Sequence, residues 1–304
     1  MNFILDFIKG IFVGVANIIP GVSGGTMAVS FGIYDKLLSS ISNLFKDFKN
    51  CFKNLLPIAL GMVIGVATFT FIIPWLLENQ PFITSMAFTG LILGGVPMTI
   101  KGQQDGYMRD KNKSQIVNVI LFIIFAAIAL AMTFMSGESE SGIILTADAI
   151  TILKMFFLGI IAAATMVIPG VSGSLVLMIL GYYFGIITAV KDFLSALKDF
   201  DFEKLFNLSL LLVPFGVGCI LGIFFISKLI SWMFNHFASA TYSAILGLII
   251  TAPISIFYKV NDEYGLSSTT IPQIILSVII LAACIAGTLY MGNLETSDDK
   301  EAKQ

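Results

Sequence analysis

Residues 19–24 read Ile19-Pro20-Gly21-Val22-Ser23-Gly24, and residues 168–173 repeat them as Ile168-Pro169-Gly170-Val171-Ser172-Gly173. Each copy interrupts a long uncharged run, Gly10–Tyr34 in the first case and Met155–Val190 in the second. Pro-Gly followed by Ser-Gly stops one helix and starts another. Met155–Val190 is too long for one bilayer crossing, which needs about 20 apolar residues. The arm Val22–Tyr34 is about 20 Å long at 1.5 Å per residue, short of a roughly 30 Å hydrocarbon core. Two readings follow: a re-entrant or broken helical hairpin with its turn inside the membrane, or two complete spans. The hairpin is the expected object.

The rest of the chain supports a membrane setting. Of 304 residues, 57% are apolar and only 12% charged, against roughly 25% charged in average soluble domains. The 17 Lys and Arg against 19 Asp and Glu leave no basic excess for nucleic acid. One His and three Cys, Cys51, Cys219 and Cys284, exclude a multi-His metal site and point to buried thiols rather than disulfides. A His- and Arg-based membrane phosphatase is hard to build from His236 and Arg109 alone. No enzyme, metal or cofactor is therefore expected. No cleavable signal peptide is expected either, because Asp6 and Lys9 interrupt the first apolar stretch.

The repeat extends beyond the turns. Gly10, Pro20, Gly21, Ser23, Gly24, Gly32 and Tyr34 recur at one constant offset as Gly159, Pro169, Gly170, Ser172, Gly173, Gly181 and Tyr183. Pro57, Gly61, Gly65 and Gly90 recur at a slightly larger offset as Pro214, Gly218, Gly222 and Gly247. The fold class read from this is an all-α polytopic integral membrane protein with two inverted-topology repeats. The first repeat, 1–149, holds a re-entrant motif (10–34), an amphipathic segment (35–53) and spans 55–77, 82–100 and 116–135. The second, 150–304, holds a re-entrant motif (159–187), an amphipathic segment (191–204) and spans 208–233, 239–258 and 271–292. The hairpin adds an even number of crossings and three spans follow it, so the second half inverts. Positive-inside counting puts both termini, 35–53 and 101–115 in the cytoplasm; the three lysines of 191–204 are the exception.

Inverted repeats with broken helices are a recurring plan of secondary transporters. After each Pro-Gly a serine stands as N-cap with glycines behind it, leaving free N–H groups at a positive helix end. That is an anion cradle. The candidate phosphate-binding residues are Asn17, Gly21, Ser23, Gly24, Gly25, Thr26, Gly170, Ser172, Gly173 and Ser174. Lys9 and Lys154, on the arms leading to the turns, are the candidate cationic partners; snorkelling to an interface is the competing reading for both. Isolated Gly-x-x-x-Gly pairs such as Gly61/Gly65 and Gly218/Gly222 read as helix packing.

The run Gly10-x3-Gly14-x-Ala16-Asn17 through Thr26, with Gly32-Ile33-Tyr34, resembles the signature of the bacterial polyprenyl-phosphate transporter family, once a domain of unknown function. The second copy resembles that family's second motif, with Met166, Ser174 and Leu175 replacing Asn17, Gly25 and Thr26. The resemblance implies a translocase in the bacterial cytoplasmic membrane. It implies return of undecaprenyl phosphate from the outer to the inner leaflet for wall polymer synthesis, with H+ or Na+ coupling. Membrane lipids are the expected surroundings. The residues alone leave a second reading open, a transporter or channel for a small soluble anion.

Overall fold

The computed structural model describes residues 3–19, 21–110, 114–135, 145–266 and 270–301. Its elements are α1 (Phe3–Ala16), α2 (Gly24–Ser30), α3 (Tyr34–Ser42), α4 (Phe48–Phe69), α5 (Ile72–Asn79), α6 (Pro81–Arg109), α7 (Gln115–Phe134), α8 (Ala149–Val167), α9 (Gly173–Ile179), α10 (Tyr183–Asp199), α11 (Phe202–His236), α12 (Ala238–Tyr264) and α13 (Ile271–Glu301). No strand occurs among the described residues. Among the described residues, seven helices are long and apolar enough to cross a membrane, or eight if the bent pair α9–α10, which turns through 112°, is one span. Apolar side chains cover the outside, with Ile120, Ile123 and Ile124 on α7 and Ile275, Val278 and Ile279 on α13 all exposed. Water does not tolerate such a surface; lipid does.

Local signals set the boundaries. Asp47, Ser114, Asp148 and Asp201 accept backbone N–H groups at the starts of α4, α7, α8 and α11. The expected span 55–77 is broken into α4 and α5. The cause is Pro74, which has no N–H for the Thr70 carbonyl and whose ring crowds it. The amphipathic segment 35–53 is split as well. Its first half is α3, and its second half, past the Asp47 cap, is the start of α4. The segment 191–204 instead continues α10 up to Phe200 in the left-handed region (φ 54°), and its last residues begin α11. Helix α6 continues past the expected end at residue 100 to Arg109, and α11 continues past the expected end at residue 233 to His236.

Helices approach closely where glycines permit it, and the contacts repeat. A methyl on Gly61 would stand 2.1 Å from the Phe7 carbonyl oxygen, and one on Gly218 would stand 2.1 Å from that of Phe156. So α1 packs on α4 as α8 packs on α11. Gly90 of α6 meets Leu281 of α13, as Gly247 of α12 meets Phe122 of α7. Helices α6 and α12 also pack on each other at the centre. The two hairpins are not equally deep. The main core gathers Val13, Ala16, Met27, Phe31 and Ile33 of the first hairpin region with Ile245, Ile249 and Ile256 of α12. The second hairpin forms a smaller core of its own around Met155, Leu158, Leu177 and Ile186.

The first hairpin folds back on itself. Lys36, just past α2, pairs with Asp6 at the start of α1 at 2.6 Å, so the chain returns to the level at which it entered.

Candidate functional site

Both duplicated turns have the same local build. Gly21 and Gly170 lie at φ 80° and 76°, where a side chain would strain the backbone. Val22 N–H donates to the Ile19 carbonyl (3.2 Å), and Val171 N–H to that of Ile168 (3.3 Å). Ser23 Oγ accepts the Gly25 N–H at 3.2 Å, capping α2. Ser172 Oγ accepts the Leu175 N–H at 3.5 Å, and lies 2.8 Å from Ser174 Oγ.

The turns meet in space. Gly170 N–H donates to Thr26 Oγ1 at 2.7 Å, and the Tyr34 hydroxyl donates to the Val167 carbonyl at 3.1 Å. A methyl on Gly25 would lie 3.0 Å from the Val167 oxygen. Both turns also rest on α12: a methyl on Gly21 would reach within 2.8 Å of the Ser255 oxygen, and one on Gly170 within 2.8 Å of Leu248 Cβ.

A cavity of about 360 Å³ opens where they meet, lined by Asn17, Gly21, Ser23, Ser172, Gly173 and Ser174, with Met166, Tyr183 and Lys259. Six of the ten candidate phosphate residues therefore face one space. Gly24, Gly25, Thr26 and Gly170 are not on its wall. Gly24 packs against the Asn17 amide, while Gly25, Thr26 and Gly170 join the two turns. Asn17 Nδ2 donates to the Val13 carbonyl at 3.0 Å, which orients the amide.

The two candidate cations lie elsewhere. Lys9 is fully buried on α1, eight residues before Asn17 and so about 12 Å down the helix. Lys154 is exposed on α8, about 18 Å from Met166 by the same rise. The cation at the cavity is half-buried Lys259, near the end of α12. In the sequence it directly follows the uncharged run Leu229–Tyr258 and precedes Asp262 and Glu263, so it reads as the polar end of a span. Tyr183 was visible only as the repeat partner of Tyr34. The chemistry offered is two pairs of turn hydroxyls and N–H groups, one amide and one ammonium, which suits an anion.

A second polar region lies at the other end of α12. Two adjoining cavities, about 450 and 320 Å³, share Asp35, Gly102, Asp105 and Tyr242, and the larger also reaches Arg109. Tyr242 is 17 residues from Lys259, roughly 25 Å along the helix. Its hydroxyl donates to the Asp35 carboxylate at 2.7 Å. Asp35 has an accessible edge on the cavity, but protein crowds it on its other sides, and this desolvation raises its pKa above the ordinary carboxylate value. The Tyr242 hydrogen bond and the Arg109 charge oppose the rise. Asp110 caps α12 by accepting the Ser239 N–H at 2.9 Å, and Arg109 donates to the Phe234 carbonyl. Among the described residues no group of three or more His, Cys, Asp or Glu could hold a metal ion, and the three cysteines are free.

Comparison with known proteins agrees with this picture in kind. Residues 13–271, most of the chain, match the family described as VCA0040-like, undecaprenyl phosphate translocase-like. A polyprenyl-phosphate transporter of Vibrio cholerae is 29% identical over 266 residues, covering 82% of this chain and 76% of that protein. A polyprenyl-phosphate transporter of Staphylococcus aureus is 29% identical over 255 residues, covering 83% of this chain and 86% of that one. Both are named transporters, not enzymes. No solved structure gives a significant match. Two motif turns joined across the middle of an all-helical, lipid-facing chain thus come with a family match over nearly its whole length, and the chain belongs to the undecaprenyl phosphate translocase-like family.

Proposed function

We propose that this protein returns undecaprenyl phosphate from the outer to the cytoplasmic leaflet of the bacterial cytoplasmic membrane, and that the turn cavity holds the phosphate head. The observation that carries this reading is the cavity itself. Ser23 and Ser172, far apart in sequence, face one space together with Lys259. An anion held there would meet hydroxyls and backbone N–H groups from both turns and one ammonium, interactions that are strongest away from water. The polyisoprenoid tail would remain in lipid against the apolar outer faces.

Topology follows by parity. A first hairpin that re-enters, followed by three spans, inverts the second half, and the repeated contacts α1–α4 with α8–α11 and α6–α13 with α12–α7 support two related halves. In this arrangement both termini are cytoplasmic, the turn cavity faces outward, and the Asp35–Tyr242 region faces the cytoplasm. The gradient of H+ or Na+ would drive the return, and the recovered carrier would serve peptidoglycan and teichoic acid synthesis.

Purified protein in liposomes tests the reading. Undecaprenyl phosphate placed in one leaflet should redistribute faster with protein than without, and faster still under an imposed pH or sodium gradient. Transport of soluble phosphate with no effect on the lipid would replace this reading with that of a small-anion transporter.

A further inference from the structure

A crevice between α6 and α13 lies apart from the turn cavity. It has a volume of about 160 Å³ and is lined by Ser30, Pro97, Met98, Lys101, Thr288 and Gly292, among others. Helix α13 packs chiefly on α6, so the crevice sits at the lipid-facing edge of the bundle. Lys101 is the one charged residue on its described wall, and no ion pair to Lys101 occurs among the described residues. Met98 and Lys101 also line the polar cavity that holds Asp35 and Tyr242, so the crevice borders that cavity on its inner side.

Thr288 supplies the second observation. Its Oγ1 is buried, with the residue 1% exposed, and has no hydrogen-bond partner. Hydroxyls in apolar helices usually return their proton to the carbonyl one turn back. Thr99, Thr133 and Thr251 do so here, at 3.1, 2.9 and 3.2 Å. Thr288 does not. Gly94 makes the room for it, since a methyl there would come within 2.7 Å of Thr288 Cβ. A buried hydroxyl without a partner is destabilising, a cost that a bound oxyanion would remove.

We propose that this crevice is a second lipid-phosphate site, where the monophosphate head of a polyisoprenoid docks between Lys101 and Thr288 while its tail leaves sideways between α6 and α13. The inference rests on the lipid-phosphate reading above and adds a station at the opposite end of the molecule from the turn cavity. One charged donor and one hydroxyl at the inner end, with apolar helix faces on both sides, match an amphipathic anion with a single tail. Asp35 and Asp105 on the adjoining polar cavity would repel the head from travelling further inward, so the crevice is a lateral exit and not a through channel.

Photolabelling tests this on the full chain in nanodiscs of phosphatidylcholine, with a short polyprenyl phosphate carrying a photoreactive group beside its phosphate. Labelled positions are read by mass spectrometry. Labels are expected both around the turn cavity and on α6 and α13 near Met98 and Leu289. Lys101→Met should lower the crevice label about tenfold and Thr288→Val about threefold, the turn-cavity label being unchanged. Lys101→Arg and Thr288→Ser should restore it, which separates lost binding from lost folding. Label confined to the turn cavity overturns the second site and leaves the proposed function standing. Label at neither place overturns both. Displacement of the crevice label by an excess of phosphatidylglycerol would make it a seat for ordinary anionic lipid and also overturn the proposal, as would displacement by inorganic phosphate alone.

Discussion

Replacing Thr26 with valine should loosen the joint between the two motif turns. Thr26 Oγ1 accepts the Gly170 N–H at 2.7 Å, and Thr26 is 1% exposed. Valine keeps the volume and branching but cannot accept, so an N–H at the heart of the molecule loses its partner. That loss costs about 1–3 kcal/mol. For a large chain each kcal/mol lowers the melting temperature by about 2–4 °C, so a drop of several degrees is expected. The three free cysteines, one buried and two half-buried, allow unfolding to be followed in detergent with a thiol-reactive dye. Thr26→Ser keeps the acceptor and should recover most of the loss. A Thr26→Val protein as stable as wild type would refute the joint as described. So would Thr26→Ser falling as far as valine, because keeping the acceptor oxygen would then have recovered nothing.

Three further outcomes are expected. Lys259→Met should weaken binding of a polyprenyl phosphate at the turn cavity by about tenfold or more, the worth of one charge-assisted hydrogen bond, with little loss of expression; unchanged affinity in a direct binding titration would remove the lysine from the site. Gly218→Val should prevent stable assembly, because a side chain there would start 2.1 Å from the Phe156 carbonyl oxygen; normal yield and melting in detergent would contradict the α8–α11 contact. Stability should also fall as pH rises from the ordinary carboxylate pKa, about 4, through the raised value of Asp35, because the unfolded chain releases that proton first. Asp35→Asn should flatten this part of the profile, and an identical slope in the variant would show that another group sets it.

The architecture was readable because lipid imposes few options. Charge-free runs gave the helices, and the duplicated Pro-Gly turns gave the breaks. What sequence spacing missed has local causes. Pro74 ends a helix four residues upstream, at Thr70, so the break falls where the sequence is still apolar. The motif residues were identified as a group, but their division of labour was not. Thr26 and Gly25 look like part of the cradle in sequence, and in space they join the turns. Lys259 ends an apolar run instead of interrupting one, so its spacing does not mark it; only the packing of α12 against both turns brings it to the cavity. Conversely, Lys9 stands within an apolar arm, and that arm carries it away from the turn.

The placement of α12 gives the molecule a mechanical character. Both turns lean on this one helix, Gly21 at Ser255 and Gly170 at Leu248, and polar cavities lie near its two ends. It is therefore placed like the beam of a balance. With Tyr242 and Lys259 roughly 25 Å apart along it, a tilt of about 10° about their midpoint would carry each about 2 Å in opposite senses. Space gained at one cavity would be space lost at the other. The two cavities would then be coupled through one helix, with no separate signal between them.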